Sequence, residues 1–296
     1  MATTTPTLIL THPGGAHKDD LLACALLAHR HGVPIVRREP TPEELADPRV
    51  VVVDVGLEHA PERSNFDHHQ FPRDHVPTCA LSLVLQDFGL YEDARKFCGW
   101  LEMAEWLDCR GPNEATAHFG LPRESLSLLQ SSIDLCVLRS FAASSRLEPG
   151  EIIYDLIRQV GGELVDYLES MRARLDFLAE HASFWTIEGK EGGSFDVLFV
   201  PRTEPLPDEP GMGLHGYLEE VGKSDSVSAL VYPDRRGAGY GLSRYDDCQS
   251  LELTRVESEP DVHFAHVRGF VAKTSASDPE RLKELLAMAW LAPENS

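Results

Sequence analysis

Residues 50–53 are four consecutive valines, and the run ends at Asp54. A short β-branched run without alternation reads as a strand buried on both faces, as in a parallel sheet covered by helices. Thr7-Leu8-Ile9-Leu10 and Val33-Pro34-Ile35-Val36 are runs of the same kind. Between them lies a helical pattern from Asp19 to Arg30, with Leu21, Leu22, Cys24, Ala25 and Leu26 apolar. Its first turn carries Asp19 and Asp20, where the positive end of the helix dipole favours acids. Thr41-Pro42-Glu43-Glu44 has the pattern of a capped helix start with proline at the first position. Short buried strands alternating with helices predict an open α/β fold with a mostly parallel sheet flanked by helices. In such folds ligands sit beyond the carboxyl ends of the strands. His12 and Asp54 both fall at such ends.

Helical patterns continue through 78–88, 91–107 and 124–138. Pro149-Gly150 then punctuates the chain. Residues 151–181 are again helical in period, with Gly161-Gly162 as an interruption. From 183 onward the pattern changes to strands, at 195–200, 226–232, 240–244 and 251–256, before a final helix at 279–291. The expected organisation is a catalytic domain over 1–148, a helical connector over 149–182, and a smaller α/β or α+β domain over 183–296. The acid-, proline- and glycine-rich stretch 204–213 is expected to be an exposed loop.

Composition narrows the function classes. Asp and Glu outnumber Lys and Arg by 48 to 27, a net charge of −21. Such a surface repels a long polyanion, which argues against non-specific binding of duplex nucleic acid. It leaves room for a short phosphate substrate in a metal-neutralised cleft. No stretch approaches the roughly 18 apolar residues of a membrane span. Met1 to Pro6 has no basic segment ahead of its apolar run, so the expectation is a cytoplasmic protein without a membrane partner. None of the six cysteines forms a C-x-x-C pair, and buried free thiols are the expectation. No serine or cysteine has the setting of a nucleophile elbow.

The residues that carry chemistry cluster by type. His12, His17 and Asp19 lie within one turn and helix start, while Asp54, His68 and Asp108 come from three later connections. Mixed imidazole and carboxylate donors suit Mn²⁺, Co²⁺, Fe²⁺ or Zn²⁺ better than Ca²⁺. Six candidate ligands exceed the needs of one ion and match two ions that share a bridging carboxylate. Two ions about 3.5–4 Å apart can activate water and neutralise a phosphoryl group. Without metal, Asp19, Asp20, Asp54 and Asp67 would repel one another. A histidine outside the ligand set, such as His69, could contact a phosphate oxygen or protonate a leaving group.

The motifs also carry a family resemblance. Thr11-His12-Pro13-Gly14-Gly15-Ala16-His17-Lys18-Asp19-Asp20, the run ending in Asp54-Val55-Gly56, and Asp67-His68-His69-Gln70 resemble the DHH phosphoesterase superfamily. Within it the chain is similar to the melanocyte-proliferating-gene family of metal-dependent nucleases. Phe264-Ala265-His266-Val267-Arg268-Gly269-Phe270 resembles that family's C-terminal F-x-H-x-x-G-F. The resemblance implies a DHH domain with two divalent ions, usually Mn²⁺, with Mg²⁺, Co²⁺ or Fe²⁺ as alternatives. It implies His12, His17 and Asp54 on one ion, and Asp19, Asp54, His68 and Asp108 on the other, with Asp54 bridging. His69, supported by Asp67, would contact the scissile phosphate. His266 and Gly269 would belong to a substrate-binding domain, and Arg244 joins them as a phosphate-binding arginine. The chain departs from the family pattern in three places. Lys18 stands where a small or uncharged residue is usual, and Arg268 where a small polar one is. Glu105-Trp106-Leu107-Asp108-Cys109-Arg110-Gly111 replaces D-x-x-D-N-G, which leaves Glu105 and Asp108 both open as the last ligand.

The resulting expectation is a Mn²⁺-dependent phosphodiesterase of exonuclease type, acting on short oligonucleotides or nucleotide-like phosphodiesters through metal-activated water. Two alternatives stand beside it: a phosphoanhydride hydrolase of the pyrophosphatase kind, and a metal-binding regulatory protein without turnover. The oligomeric state is open, a homodimer being one option.

Overall fold

The computed structural model describes residues 5–129 and 131–291. The chain divides into two compact units, Met1–Ser170 and Met171–Ser296. No helix among the described residues is long and apolar enough to cross a membrane.

The first unit opens with β1 (Leu8–Thr11), α1 (Lys18–His31), β2 (Ile35–Arg37), α2 (Pro42–Ala46) and β3 (Val50–Val53). Two short strands follow, β4 (His59–Ala60) and β5 (Asn65–Phe66). The helices α3 (Ala80–Asp87), α4 (Tyr91–Phe97), α5 (Trp100–His118), α6 (Ser125–Leu129) and α7 (Ser132–Ala143) come next. Strand β6 (Arg146–Leu147) and the long helix α8 (Ile152–His181) complete the series, and α8 continues into the second unit.

The sheet order is β4-β5-β3-β1-β2-β6. β1 pairs parallel with both β2 and β3, and β3 pairs parallel with β5. The edge strands β4 and β6 are antiparallel. All four valines of β3 are buried, as their lack of alternation requires. Val51 and Val53 face a core with Ile9, Leu26, Leu81 and Phe141. Val50 and Val52 face the other side, with Leu10 and Val55, against which Leu45 of α2 packs.

Register is what makes the site. Thr11 pairs with Val53, and Val53 pairs with Phe66. The next residue on each strand is therefore His12, Asp54 and Asp67, side by side at one edge of the sheet.

Several expectations need correction. The helix expected at 91–107 is two helices, α4 and α5, separated at Cys98-Gly99, where Cys98 leaves the helical range (ψ 77°). α5 then breaks at Gly111 (φ 76°), a left-handed conformation open to glycine, immediately before Pro112. Gly161-Gly162 do not interrupt α8. They let it approach α1: a Cβ on Gly161 would lie 2.1 Å from the Ala25 carbonyl oxygen, and one on Gly162 2.7 Å from His29. Cys24, Cys79 and Cys98 are buried thiols, whereas Cys109 and Cys248 are half-buried and Cys136 is exposed.

The second unit contains β7 (Ser183–Glu188), β8 (Ser194–Phe199), α9 (Leu214–Glu220), β9 (Val227–Pro233) and β10 (Tyr240–Arg244). β11 (Val262–Ala265), β12 (Val271–Thr274) and α10 (Pro279–Ala289) follow. Its sheet runs β11-β12-β10-β9-β8-β7, with β8–β9 parallel and the other pairs antiparallel. Both units mix helices with a sheet, and the parallel pairing dominates in the first one alone. The strand expected at 251–256 is instead a 3₁₀ turn over Leu253–Val256, where Glu252 accepts a bond from Thr254 N. Leu251 makes a single antiparallel bridge to Trp290. Leu282, Leu285, Leu286 and Ala289 of α10 fill the core beneath this sheet at helical spacing. The loop at 204–213 has no regular strand or helix, but Pro210 is buried and its carbonyl accepts from Arg174.

Gly161→Ala tests the α1–α8 crossing. Alanine gains about 1 kcal/mol over glycine inside a helix. The clash with the α1 backbone should outweigh this, giving a net loss of roughly 1–3 kcal/mol in denaturant unfolding.

Candidate metal centre

His12 follows β1 and leads into the Pro13-Gly14-Gly15 turn. Its Nδ1 donates to the Pro13 carbonyl (2.9 Å), which can only accept, so the proton sits on Nδ1. Nε2 then points at carboxylates, 3.1 Å from Asp20 Oδ2 and 3.5 Å from Asp54 Oδ2. The Asp20 carboxylate, opposed by burial, holds His12 above its ordinary pKa. Asp20 also closes the start of α1, accepting from His17 N at 2.7 Å in a capping box. Arg37, buried at the end of β2, donates to the Gly14, Gly15 and Phe141 carbonyls and to Asp20. It ties the turn between His12 and His17 to the sheet.

Asp54 leaves β3 with φ +57°, a left-handed conformation that aspartate tolerates better than most residues. Gly56 (φ +97°) follows, with Leu45 and Pro40 too close for a side chain there. The turn swings the Asp54 carboxylate across the strand ends. His12, His17 and Asp54 each place a ligand atom within 4.8 Å of the others, as do Asp19, Asp54, His68 and Asp108. Asp54 is common to both sets.

The electrostatics of these sets favour a cation. Asp19 is 1% exposed, and neither of its carboxylate oxygens has a hydrogen-bond partner among the described residues. Burial, reinforced by Asp54, Asp108 and Asp20, raises its pKa well above the ordinary value. Burial also raises Asp54. A buried carboxylate with two orphaned oxygens is a costly arrangement in a protein, and metal coordination relieves it. His68 Nε2 lies 2.8 Å from Asp108 Oδ2 and 3.2 Å from Asp54 Oδ1. Burial opposes its protonation, yet the two carboxylates push its pKa up to about 12. A cation there would take the place of that proton. The donor set, imidazole and carboxylate, fits a first-row divalent ion.

Asp67 and His69 stand beside these sets. Both Asp67 oxygens are taken: Oδ2 by Leu57 N (2.6 Å), Oδ1 by His69 N (3.0 Å) and His69 Nδ1 (2.7 Å). Burial would raise Asp67, but these bonds hold it below its usual range. The His69 ring is half exposed, and the Asp67 bond raises its pKa against burial. Gln70 donates to the Asp67 carbonyl at 2.7 Å and pins the tetrapeptide.

Between Asp108 and Glu105, the structure separates the surroundings. Glu105 is buried but turned away, accepting from Ser82 (2.7 Å), Tyr91 (2.8 Å) and Arg95 (3.1 Å). Asp108, one turn later on α5, faces His68 and His17. The sequence reading passed over Arg37, Asp20 as a cap, and Cys109, whose Sγ lies 3.7 Å from His68 Nδ1. Arg37 could have been noticed as a charge ending an apolar strand. Nothing in the sequence pointed to the cysteine's partner.

The remaining expected residues lie in the second unit. His266 and Gly269 form the turn between β11 and β12, where Gly269 N donates to the His266 carbonyl. Gly269 has φ +65°, and a Cβ there would meet the Glu252 carboxylate at 1.7 Å. Arg244 is 6% exposed and bonds the Leu251 carbonyl and Glu252. Its backbone N donates to the Phe270 carbonyl, so Arg244 braces this turn from beneath.

Comparison with known proteins agrees with the motifs. Residues 8–90 match the model labelled MYG1_exonuc, an uncharacterised protein family (UPF0160). The chain is similar to the MYG1 exonuclease of Rattus norvegicus, 44% identical over 69 residues, or 22% of this chain and 17% of that protein. It is also similar to the Homo sapiens MYG1 exonuclease, 47% identical over 68 residues, or 22% of this chain and 18% of that protein. The aligned region thus spans less than a fifth of each of these relatives. A solved structure described as a DHH domain of a member of the S1p family of ribosomal proteins aligns with 97% of this chain and 88% of its own. Its identity is 14% and its TM-score 0.33. The family resemblance read from the motifs is thereby borne out over residues 8–90, which hold the first three of them.

The Asp19 charge has a testable sign. Its folded pKa is raised, so the metal-free fold binds more protons than the unfolded chain, and stability falls as pH rises above the ordinary aspartate pKa. Asp19→Asn should flatten that slope, raise the melting temperature of metal-free protein at neutral pH, and remove most of the stabilisation conferred by added Mn²⁺. Thermal melts across pH, with and without metal, check all three. Asp108→Asn should likewise weaken metal binding, whereas Glu105→Gln should lower stability by about 1–3 kcal/mol through its buried partners and leave metal affinity in place.

Proposed function

We propose that this protein is a metal-dependent phosphodiesterase of exonuclease type that acts on short oligonucleotides. The observation that carries this reading is the pair of ligand sets sharing Asp54 at the carboxyl edge of the sheet, with the buried Asp19 oxygens left without partners. In this reading His12, His17 and Asp54 hold one divalent ion, and Asp19, Asp54, His68 and Asp108 hold the second, with Mn²⁺ as the preferred metal. Two such ions supply an activated water and positive charge against the phosphoryl oxygens. The name of the relatives, MYG1 exonuclease, supports a nucleic-acid substrate.

The chain's own groups do the remaining work. Asp67 fixes His69 through Nδ1, which leaves Nε2 to donate to a non-bridging phosphate oxygen or to a leaving group. Arg37 and Asp20 hold the His12–His17 turn in place while substrate arrives. The domain roles follow the sequence division: 1–148 for chemistry, 149–182 as connector, 183–296 for substrate binding. In the last of these, Phe264 and Phe270 are both more than 40% exposed, and the His266 ring lies 4.2 Å from that of Phe270. Exposed aromatic faces on and beside this turn suit a nucleobase, since base stacking contributes about 1–3 kcal/mol per base. The net charge of −21 favours a short strand over a long duplex.

The test is a Mn²⁺-supplemented screen of short RNA, short DNA and pyrophosphate. Mononucleotide release is expected from an oligonucleotide, and it should fall to background in His68→Ala and Asp54→Ala. Asp67→Asn, which loosens His69 without removing a ligand, should lower the rate about 10–100-fold. Consumption of pyrophosphate alone, or turnover undiminished in His68→Ala, would sink the reading.

A further inference from the structure

Each histidine of the centre must keep its proton on one ring nitrogen to offer the other as a ligand. The structure shows how His12 does so, with Nδ1–H on the Pro13 carbonyl. His68 solves the same problem differently. Its Nε2 faces Asp54 and Asp108, so Nδ1 must carry the proton when Nε2 ligates. The hydrogen-bond partner of Nδ1 among the described residues is the Cys109 sulfur, at 3.7 Å.

We propose that Cys109 is a positioning residue for the metal centre, its sulfur accepting the His68 Nδ1–H so that Nε2 is presented to the ion. The inference rests on the metal reading given above. Three features carry it. Cys109 follows Asp108 directly on α5, so one helical turn supplies both a carboxylate beside Nε2 and the sulfur at Nδ1. α5 breaks two residues later at Gly111, which frees this end of the helix to set its own angle against His68. The His68 side chain is 7% exposed, so water has little access to satisfy Nδ1 in the sulfur's place. A thiol sulfur is a weak acceptor, sufficient to orient the ring N–H.

Removing the hydrogen-bond partner of a ligating histidine changes metal affinity by about 10–100-fold. The test compares three full-length proteins: wild type, Cys109→Val and Cys109→Asn. Valine puts methyl groups in place of the sulfur and has no acceptor; asparagine restores one. Mn²⁺ affinity is measured by calorimetric titration, and the metal-free melting temperature is measured beside it. The expected result is a 10–100-fold rise in the Mn²⁺ dissociation constant for valine, with recovery in asparagine and a metal-free melting temperature that valine leaves unchanged. Three results overturn the proposal: valine binding Mn²⁺ as tightly as wild type, asparagine binding as weakly as valine, or a loss of affinity matched by a fall in metal-free stability. Failure of wild type to bind Mn²⁺ at all would instead overturn the metal reading itself, and this proposal with it.

Discussion

Mutual repulsion among buried carboxylates is the constraint on which this structure turns. Asp19, Asp54 and Asp108 converge at one sheet edge, and Asp19 there has no hydrogen-bond donor for either oxygen. An isolated buried carboxylate costs several kcal/mol, and a fold that places two of them beside a half-buried third must have a reason beyond stability. The surroundings do not relieve the cost by themselves. Arg37, buried at the end of β2, serves the Gly14 and Gly15 carbonyls and Asp20 instead of Asp19. The histidines can share protons with the acids, as the elevated His12 and His68 show, but that only exchanges one cation for a smaller one.

The scaffold that holds these charges is rigid for a plain reason. A parallel strand pair fixes which residues emerge together, and here the register brings His12, Asp54 and Asp67 out of three neighbouring strands at the same level. Two hydrophobic clusters, one on each face of the sheet, oppose any slip of that register, because a shift of one residue would draw Arg49 or Asp54 in among the buried valines of β3. Helix α1 delivers Asp19 from its first turn, and α8 crosses α1 closely enough that only glycine fits at residue 161. Asp108 arrives separately on α5. The site is thus assembled from strand ends, a helix start and a helix interior.

Much of this was readable beforehand. The valine run announced a strand buried on both faces, and the strand–helix alternation announced the open α/β unit. The first-turn acids of α1, the Thr41 cap and the motif residues 12, 17, 19, 54, 68 and 69 were legible by type and position. Gly161-Gly162 misled because glycine reads locally as a helix breaker, while its use here is to admit another backbone. Residues 251–256 misled because an apolar run cannot reveal that Glu252 will cap a tight turn. The choice between Glu105 and Asp108 was undecidable from spacing, since both lie on one helix three residues apart; only the Ser82, Tyr91 and Arg95 partners of Glu105 separate them.

The sequence by itself determined the kinds of chemistry present: imidazoles and carboxylates at strand ends, in an order that resembles one nuclease family. It determined the local elements wherever a short-range rule governs them, as hydrophobic period, capping and helix dipole do. Tertiary structure decided which groups meet. That Asp54 is common to two candidate ligand sets and that a cysteine sulfur backs His68 both depend on contacts between residues far apart in the chain. Such contacts are fixed by register and packing, which no single stretch of sequence contains.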